Sequence, residues 1–259
     1  MTTKVALVTA SSAGLGAATV KALASHFRVV VNYHSRPEKA EQVIKEASAI
    51  PATYNTSSSE PRFHAIKADI SQRSEIQRLV AETVSKMGRL DVVVSNAGWT
   101  RLTNFFDLEQ QVNEEDWDRC FNVNVKSHLW LLYAAKPHLE KTAADEGVGG
   151  AFVTVASLAG VRPSGSSLPY SVTKAAEIHM TKGLAMICGP KVRCNSVSPG
   201  LMLTEWGNQF PESKVKATTE RSALKSLATP EDVAEQIRTL VLSKSITGQN
   251  IVLDCGIAI

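Results

Sequence analysis

Short runs of apolar, often β-branched residues alternate along this chain with longer segments in which apolar positions recur at helical spacing. The runs are Val5 to Val8, Val29 to Val31, Phe63 to Ile66, Val92 to Val94, Phe152 to Val155, Val192 to Ser196 and Ile251 to Leu253. Such runs are typical of strands buried on both faces, and helix-length segments between them favour a parallel sheet. Right-handed crossovers then predict an α/β fold: a Rossmann-like doubly wound sheet of about seven mostly parallel strands, with helices on both faces.

Several helix boundaries can be predicted from the capping residues. Ser71 is a candidate N-cap for a helix that runs through Met87, and Gly88 is a natural stop. Thr229 precedes a proline and two acidic residues, which is the order expected at a helix start.

Bulk composition narrows the class of protein. The chain has 259 residues, 44% hydrophobic and 20% charged, with a formal net charge of +3. These values predict one globular domain over residues 1–259, and the small basic excess does not favour nucleic acid as a partner. The four cysteines are scattered without metal-ligand spacing, so no metal site is expected. No apolar run approaches the roughly 20 residues that span a bilayer, so we expect no membrane association and a cytoplasmic location.

A turn of small residues follows the first predicted strand and precedes a helix. It reads Thr9-Ala10-Ser11-Ser12-Ala13-Gly14-Leu15-Gly16. Small side chains let the backbone approach a pyrophosphate, and a helix N-terminus offers N–H groups and a partial positive charge. The alternative is a tight strand-to-helix connection that binds no ligand.

The end of the second strand bears on the choice of dinucleotide. Enzymes that use NAD usually place an acid there, against the ribose 2′-hydroxyl. Here Tyr33, His34, Ser35 and Arg36 supply hydrogen-bond donors and a cation, and the first carboxylate is Glu38. This pattern favours a 2′-phosphate and hence NADP(H), unless the segment is only a solvated loop.

Tyr170 and Lys174 are the strongest candidates for catalysis. Their spacing of four residues stacks them on one face of a helix, roughly 6 Å apart along its axis. A cation beside a phenol stabilises the phenolate and makes the phenol a better proton donor. Ser157 follows a predicted buried strand and would lie at its carboxyl end, where α/β sheets open their ligand clefts. Tyrosine and lysine at this spacing also occur on ordinary solvated helix faces.

Taken together, these residues resemble the short-chain dehydrogenase/reductase family along essentially the whole chain. Thr9 to Gly16 is similar to its cofactor turn, Asn124 to its active-site asparagine, and Ser157, Tyr170 and Lys174 to its catalytic triad. The resemblance also implies cofactor contacts at Thr9, Ser11, Ser12, Gly14, Leu15, Gly16, Asp69, Ile70, Asn96, Ala97, Gly98, Tyr170, Lys174, Pro199, Gly200, Met202 and Thr204. Two departures are Ala10, where the family turn has glycine, and Ser95, where the family often has asparagine. If residue 10 requires a positive φ, its methyl group costs roughly 1 kcal/mol.

The resemblance implies an NADP(H)-dependent oxidoreductase that reduces a ketone or aldehyde of a small or medium apolar or aromatic compound. Ser157 would bind the carbonyl and Tyr170 would protonate it. Lys174 would tune Tyr170 and bind the nicotinamide ribose, and Asn124 would hold a water between Lys174 and solvent. Residues 200–227 would form a substrate lid. Two alternatives are an NAD-dependent alcohol dehydrogenase and a nonenzymatic NADP-binding redox sensor.

The resemblance also implies a homodimer or homotetramer. The helices that usually form the contact would run from about Glu115 to Leu139 and from Tyr170 to Ile187. Their apolar residues, among them Leu129, Leu131, Leu132, Ile178, Met180 and Leu184, fit either a core or an interface.

Overall fold

The computed structural model describes residues 3–54, 60–146 and 149–259. Seven strands form one sheet in the order β3-β2-β1-β4-β5-β6-β7, and every pair of neighbours is parallel. The strands are β1 Val5–Val8, β2 Arg28–Tyr33, β3 Phe63–Lys67, β4 Val92–Ser95, β5 Gly150–Val155, β6 Val192–Pro199 and β7 Asn250–Leu253. The predicted fold class is confirmed.

Helices cover both faces of this sheet. They are α1 Gly14–Leu23, α2 Pro37–Ser48, α3 Arg73–Met87, α4 Glu114–Phe121, α5 Ser127–Glu146, α6 Leu158–Val161, α7 Leu168–Cys188, α8 Glu212–Arg221 and α9 Pro230–Leu242. One core cluster joins the sheet to α1, α2 and α9, and a second joins it to α3, α5 and α7. No helix in the described ranges is long and apolar enough to cross a bilayer.

The two cores explain why a strand such as β1 is apolar throughout. Along β1, Val5 and Leu7 face one cluster while Ala6 and Val8 face the other, since successive strand residues point to opposite faces. All four residues are fully buried. Burying a valine or leucine side chain contributes roughly 1.5–3 kcal/mol, so both sides of each strand stabilise the sheet.

Two of the predicted helix boundaries are confirmed and one is wrong. Gly88 ends α3 with a left-handed φ of 79°, and the Thr229 hydroxyl caps α9 by accepting from the Asp232 N–H at 3.1 Å. Ser71, however, is not the N-cap of α3, which begins at Arg73 after Gln72. The Ser71 N–H donates instead to the Asp69 carboxylate at 2.9 Å, which closes a turn before the helix can start.

The segment predicted as a helix from about Glu115 to Leu139 is helical throughout, but it contains a π-helical turn. A π-helical turn, Asn122–Lys126, separates α4 from α5 and contains Asn124. Such turns often mark functional positions, because the wider turn re-aims the side chains within it.

The sheet order also determines where a ligand can bind. The chain leaves β1 toward β2 and β3 on one side, and after β3 it crosses over to β4 on the other side of β1. This change of direction opens a crevice at the carboxyl ends of β1 and β4, which is the usual ligand position in open α/β sheets.

Candidate active site

The turn after β1 fits an anionic group. Helix α1 begins at Gly14; its N-cap residue, Ala13, makes no side-chain cap, and its first turn carries no acid. The backbone N–H groups at the start of α1 therefore have no carboxylate competing for them, as a diphosphate site requires.

Backbone geometry explains the residues at two positions of this turn, Ala10 and Gly16. Ala10 has a φ of 49°, in the positive range that strains any residue with a side chain. Its methyl group therefore costs roughly 1 kcal/mol. Its N–H donates to the Asn32 side-chain oxygen at 2.9 Å, which holds the conformation. At Gly16 an added Cβ would lie 2.6 Å from the Ala10 carbonyl oxygen and 2.7 Å from the Asn96 amide nitrogen. Gly16 is thus required by close packing within the turn.

A cleft of about 320 Å³ extends from this turn across the ends of β2 and β3. Its lining includes these predicted cofactor residues: Ser12, His34, Ser35, Arg36, Asp69, Ile70, Ala97 and Gly98. Partial burial acts to raise the pKa of Asp69, but hydrogen bonds from Ser71 and the charges of His34 and Arg119 hold it below its ordinary value. Asp69 is therefore a charged acceptor in this cleft. Arg119 also lines it and was not predicted from the sequence.

Among the predicted cofactor residues that do not line this cleft are Thr9, Ser11 and Tyr33. Thr9 is buried, and its hydroxyl accepts from the Asn96 N–H at 2.9 Å. Ser11 is also buried and donates to the Val8 carbonyl at 2.7 Å. Tyr33 packs against the core cluster beside α1 and α2. These side chains hold the shape of the turn and of β2.

The basic residues beyond β2 already hold a carboxylate. Glu205, from the predicted lid segment, accepts a hydrogen bond from Arg36 at 2.9 Å and another from Lys39. These two bonds, Lys39 first, lower the pKa of Glu205. All three side chains are substantially solvated, and exposed ion pairs contribute only about 0–1 kcal/mol. This end of the cleft therefore accepts an anionic group that a ligand could displace.

A larger cavity, about 810 Å³, adjoins the carboxyl ends of β4, β5 and β6. Ser157, Tyr170 and Lys174 all line it. Other predicted residues on its wall are Leu15, Asn96, Gly98, Pro199, Gly200, Met202 and Thr204. The lid contributes Trp206 and Phe210, whose rings meet edge to face at 5.1 Å. The structure thus brings the predicted triad and the nicotinamide-side residues to one cavity.

Local capping places the triad. Ser157 lies just beyond the end of β5 and caps α6, where its hydroxyl oxygen accepts from the Ala159 N–H at 3.1 Å. The Ser167 hydroxyl caps α7 by accepting from the Tyr170 N–H at 3.3 Å. One turn later, Lys174 Nζ lies 5.7 Å from the centre of the Tyr170 ring. Its ammonium group is thus close enough to stabilise a phenolate.

Asn124 is fully buried and its side chain is committed to the backbone. Its oxygen accepts from the Trp99 N–H at 2.7 Å, while its amide donates to the Trp99 carbonyl at 2.9 Å and to Thr173 at 3.0 Å. These bonds join the loop that follows β4 to α7. The Asn124 side chain therefore positions the loop beside Lys174.

Sequence reasoning missed two ionisable residues next to Lys174. Lys174 is 2% exposed, and its Nζ donates to the Val155 carbonyl and to Glu177 Oε2, each at 2.7 Å. Burial acts to lower the pKa of Lys174, but the negative charge of Glu177, the interaction with Tyr170 and the hydrogen bond to Glu177 together outweigh it and raise that pKa. On the far side of Glu177 lies His128, also fully buried. The spacing of Lys174 and Glu177, three apart on a helix, was a readable signal for the first of these.

Comparison with known proteins agrees with this geometry. Residues 9–258 match the family model described as Enoyl-(Acyl carrier protein) reductase. The granaticin polyketide synthase putative ketoacyl reductase 2 of Streptomyces violaceoruber is 38% identical over 97% of this chain and 95% of its own length. A 3-oxoacyl-[acyl-carrier-protein] reductase of Thermotoga maritima is 31% identical over 99% and 98%. A short-chain dehydrogenase from Burkholderia cenocepacia in complex with NADP superposes with a TM-score of 0.85, at 30% identity, over 100% and 99% of the two chains.

Proposed function

Because this chain belongs to the short-chain dehydrogenase/reductase family of oxidoreductases, we propose that it reduces a ketone or aldehyde with NADPH. The observation that carries the proposal is the single cavity lined by Ser157, Tyr170 and Lys174. An O–H donor, a second hydroxyl and a buried cation in one cavity suit a carbonyl oxygen that gains negative charge and then a proton.

The residues fit a nicotinamide dinucleotide, which when bound supplies the hydride. The N-terminus of α1 would hold its diphosphate, and the residues around Asp69 its adenosine end. In our mechanism Ser157 donates a hydrogen bond to the substrate carbonyl. Tyr170 transfers its phenolic proton to the same oxygen, and Lys174 stabilises the resulting phenolate. Hydrogen bonds from the Asn124 side chain to the Trp99 backbone hold this wall of the cavity in place.

NADPH rather than NADH is favoured by the residues after β2. His34, Ser35 and Arg36 line the cleft, and the Glu205 carboxylate on Arg36 and Lys39 marks a position that binds an anion. A ribose 2′-phosphate would take the place of that carboxylate through charge-assisted hydrogen bonds. A neutral 2′-hydroxyl would gain less from two cations.

The cavity wall indicates the substrate class. Trp99, Phe105 and Phe106 face the lid aromatics, which suits an apolar or aromatic body. Of the described residues that line the cavity none is acidic, whereas Lys174, Lys214 and Arg221 are basic. Lys214 lies 4.5 Å from the Phe210 ring centre, and burial lowers its pKa. Ketones that carry a carboxylate are therefore good first candidates.

The test is a substrate panel followed by loss of NADPH absorbance. It should include 4-acetylbenzoate and its methyl ester, which share one ketone and differ in charge. We expect turnover of some carbonyl compounds, with a lower KM for the anionic member of the pair. Tight NADPH binding without turnover of any chemically diverse carbonyl would support the redox-sensor alternative instead.

Cofactor choice is read in the same assay. We expect kcat/KM to be higher with NADPH than with NADH. Arg36→Gln should lower the value for NADPH by about tenfold to a hundredfold, the effect of one hydrogen bond to a charged group, and leave NADH unaffected. A wild-type preference for NADH would point to the NAD-dependent alcohol dehydrogenase.

We also propose a homodimer or homotetramer. Leu129 and Tyr133 on α5, with Val172 and Ile187 on α7, are exposed by 42%, 66%, 38% and 74%. Apolar side chains on two long helices suit a contact with a second copy. Light scattering that gives the monomer mass at micromolar concentration would reject this oligomer.

The free thiols favour the reducing cytoplasm as the compartment; they are Cys120, Cys188, Cys194 and Cys255.

A further inference from the structure

A buried acid and a buried histidine lie directly behind Lys174, and the reaction proposed above uses neither of them. Glu177 is one turn further along α7, and His128 reaches it from α5. Both are fully buried. His128 Nε2 lies 3.6 Å from Glu177 Oε1, while Glu177 Oε2 accepts from Lys174 at 2.7 Å. A buried carboxylate costs free energy unless it is compensated, so its position against the catalytic cation calls for an explanation.

Two atoms of this pair, His128 Nε2 and Glu177 Oε1, have no hydrogen-bond partner within the described part of the chain. Whether Glu177 is ionised or protonated, one of these two atoms can act as a hydrogen-bond donor and the other as its acceptor. An ionised Glu177 can accept from an Nε2–H, and a protonated Glu177 can donate to a bare Nε2. Ser95 Oγ lies 2.5 Å from His128 Nδ1 and can donate or accept to match either tautomer. Both charge states of Glu177 can therefore be accommodated.

The groups that face the Lys174–Glu177 pair come from three helices: Tyr170 on α7, His128 on α5 and Cys120 on α4. Burial raises the pKa of Glu177 to about 7, although Lys174 acts to lower it. Burial and the charge of Lys174 hold the pKa of His128 well below its ordinary value, so its imidazole is neutral. Burial raises the pKa of the Cys120 thiol to about 11. Near neutral pH, then, Glu177 changes charge while His128 and Cys120 stay neutral.

We propose that Glu177 is a positioning residue that controls how much of the Lys174 positive charge acts on Tyr170, and so makes carbonyl reduction respond to pH. This inference rests on the proposed function. An ionised Glu177 neutralises the ammonium from one side, which leaves less of its charge to stabilise the Tyr170 phenolate. A protonated Glu177 leaves that charge to Tyr170, which then gives up its proton more readily. The switch consists of one proton from solvent that binds a Glu177 carboxylate oxygen. The imidazole of His128 stays neutral while its N–H moves from Nε2 to Nδ1, and its hydrogen bond with Ser95 reverses direction.

The decisive variant is Glu177→Gln, which keeps the shape of the side chain and an oxygen that accepts from Lys174. In the wild type we expect kcat for reduction to fall about threefold to tenfold as pH rises through the pKa of Glu177, since a charge within a few ångströms changes proton affinity substantially. The variant should stay near the low-pH rate throughout. Glu140→Gln is the matched control because Glu140 also pairs with a lysine, Lys136, at 2.6 Å but on the surface. Its profile should match that of the wild type.

Two outcomes of this experiment contradict the proposal. One is a step that persists in Glu177→Gln, and the other is a uniform loss of kcat at every pH, which a purely structural role would give. A second measurement needs neither turnover nor the variant. Infrared spectra of the wild type, labelled with ¹³C-glutamate, should show a protonated carboxyl band that disappears as pH rises through about 7. A missing band overturns the proposal even if the variant does not fold. A band in a protein that reduces no carbonyl would refute only the proposed function.

Discussion

Replacing Tyr170 by phenylalanine should lower kcat by roughly a thousandfold or more while leaving NADPH binding almost unchanged. The change removes one oxygen and retains the ring, which packs beside Gly165, where an added Cβ would lie 3.5 Å from Tyr170 Cδ1. The cavity therefore keeps its shape and loses its proton donor. The measurement pairs the rate of NADPH oxidation with a titration of NADPH binding followed by its fluorescence.

A matched control for this variant exists on the surface. Tyr133 on α5 is 66% exposed and does not line the cavity, so Tyr133→Phe should leave kcat at the wild-type value. Retained turnover in Tyr170→Phe would remove this residue from the role of proton donor. Loss of both turnover and NADPH binding would indicate a damaged site, and the variant would then not test the role.

Replacing Lys174 by methionine should abolish turnover and also destabilise the fold. The variant leaves the fully buried Glu177 carboxylate without its cation, and breaking a buried ion pair in this way costs about 3–5 kcal/mol. The double variant Lys174→Met with Glu177→Gln should regain most of that stability, because it no longer buries an unpaired charge. Turnover should stay lost in both variants, since neither has the ammonium beside Tyr170.

The sign of the pH dependence distinguishes an unpaired buried charge on Glu177 from simple damage to packing. Without Lys174 the folded-state pKa of Glu177 rises further above its ordinary value of 4.5, so the folded protein favours the protonated acid. At a pH below the unfolded-state pKa, Glu177 is protonated in both the folded and the unfolded protein, so it does not lower the free energy of unfolding. The penalty then grows with pH, by at most about 1.4 kcal/mol per unit. Urea unfolding at several pH values would measure it for the wild type and both variants. A loss of stability that is equal at every pH would contradict the explanation.

An exposed pair of similar geometry provides the control. Lys136 and Glu140 lie four residues apart on α5 with their charged atoms 2.6 Å apart, but both are partly solvated. Lys136→Met should leave the pH dependence of stability as it is in the wild type, because water replaces the missing cation.

Much of the fold could be predicted because its determinants are local. Strands such as β1 are apolar throughout since both faces are buried, and Gly88 ends α3 because it adopts a positive φ at low cost. Where the prediction was wrong, a nonlocal or competing contact decided. The Asp69 carboxylate takes the Ser71 N–H and delays α3. The helix expected from Glu115 to Leu139 is present, and only the structure shows the π-helical turn within it. Single-sequence patterns do not reveal such competition.

For the site, the order and spacing of Ser157, Tyr170 and Lys174 could be predicted from the sequence, since helical periodicity places the last two on one face. Their surroundings could be seen only in the tertiary structure. It separated buried Leu131 and Leu132 from exposed Leu129, although all three fit a helix face equally well. It also brought His128 from another helix to within 3.6 Å of Glu177, behind Lys174. The physical reason is that burial and charge pairing depend on which elements pack together, and a side chain's own neighbours along the chain do not specify that.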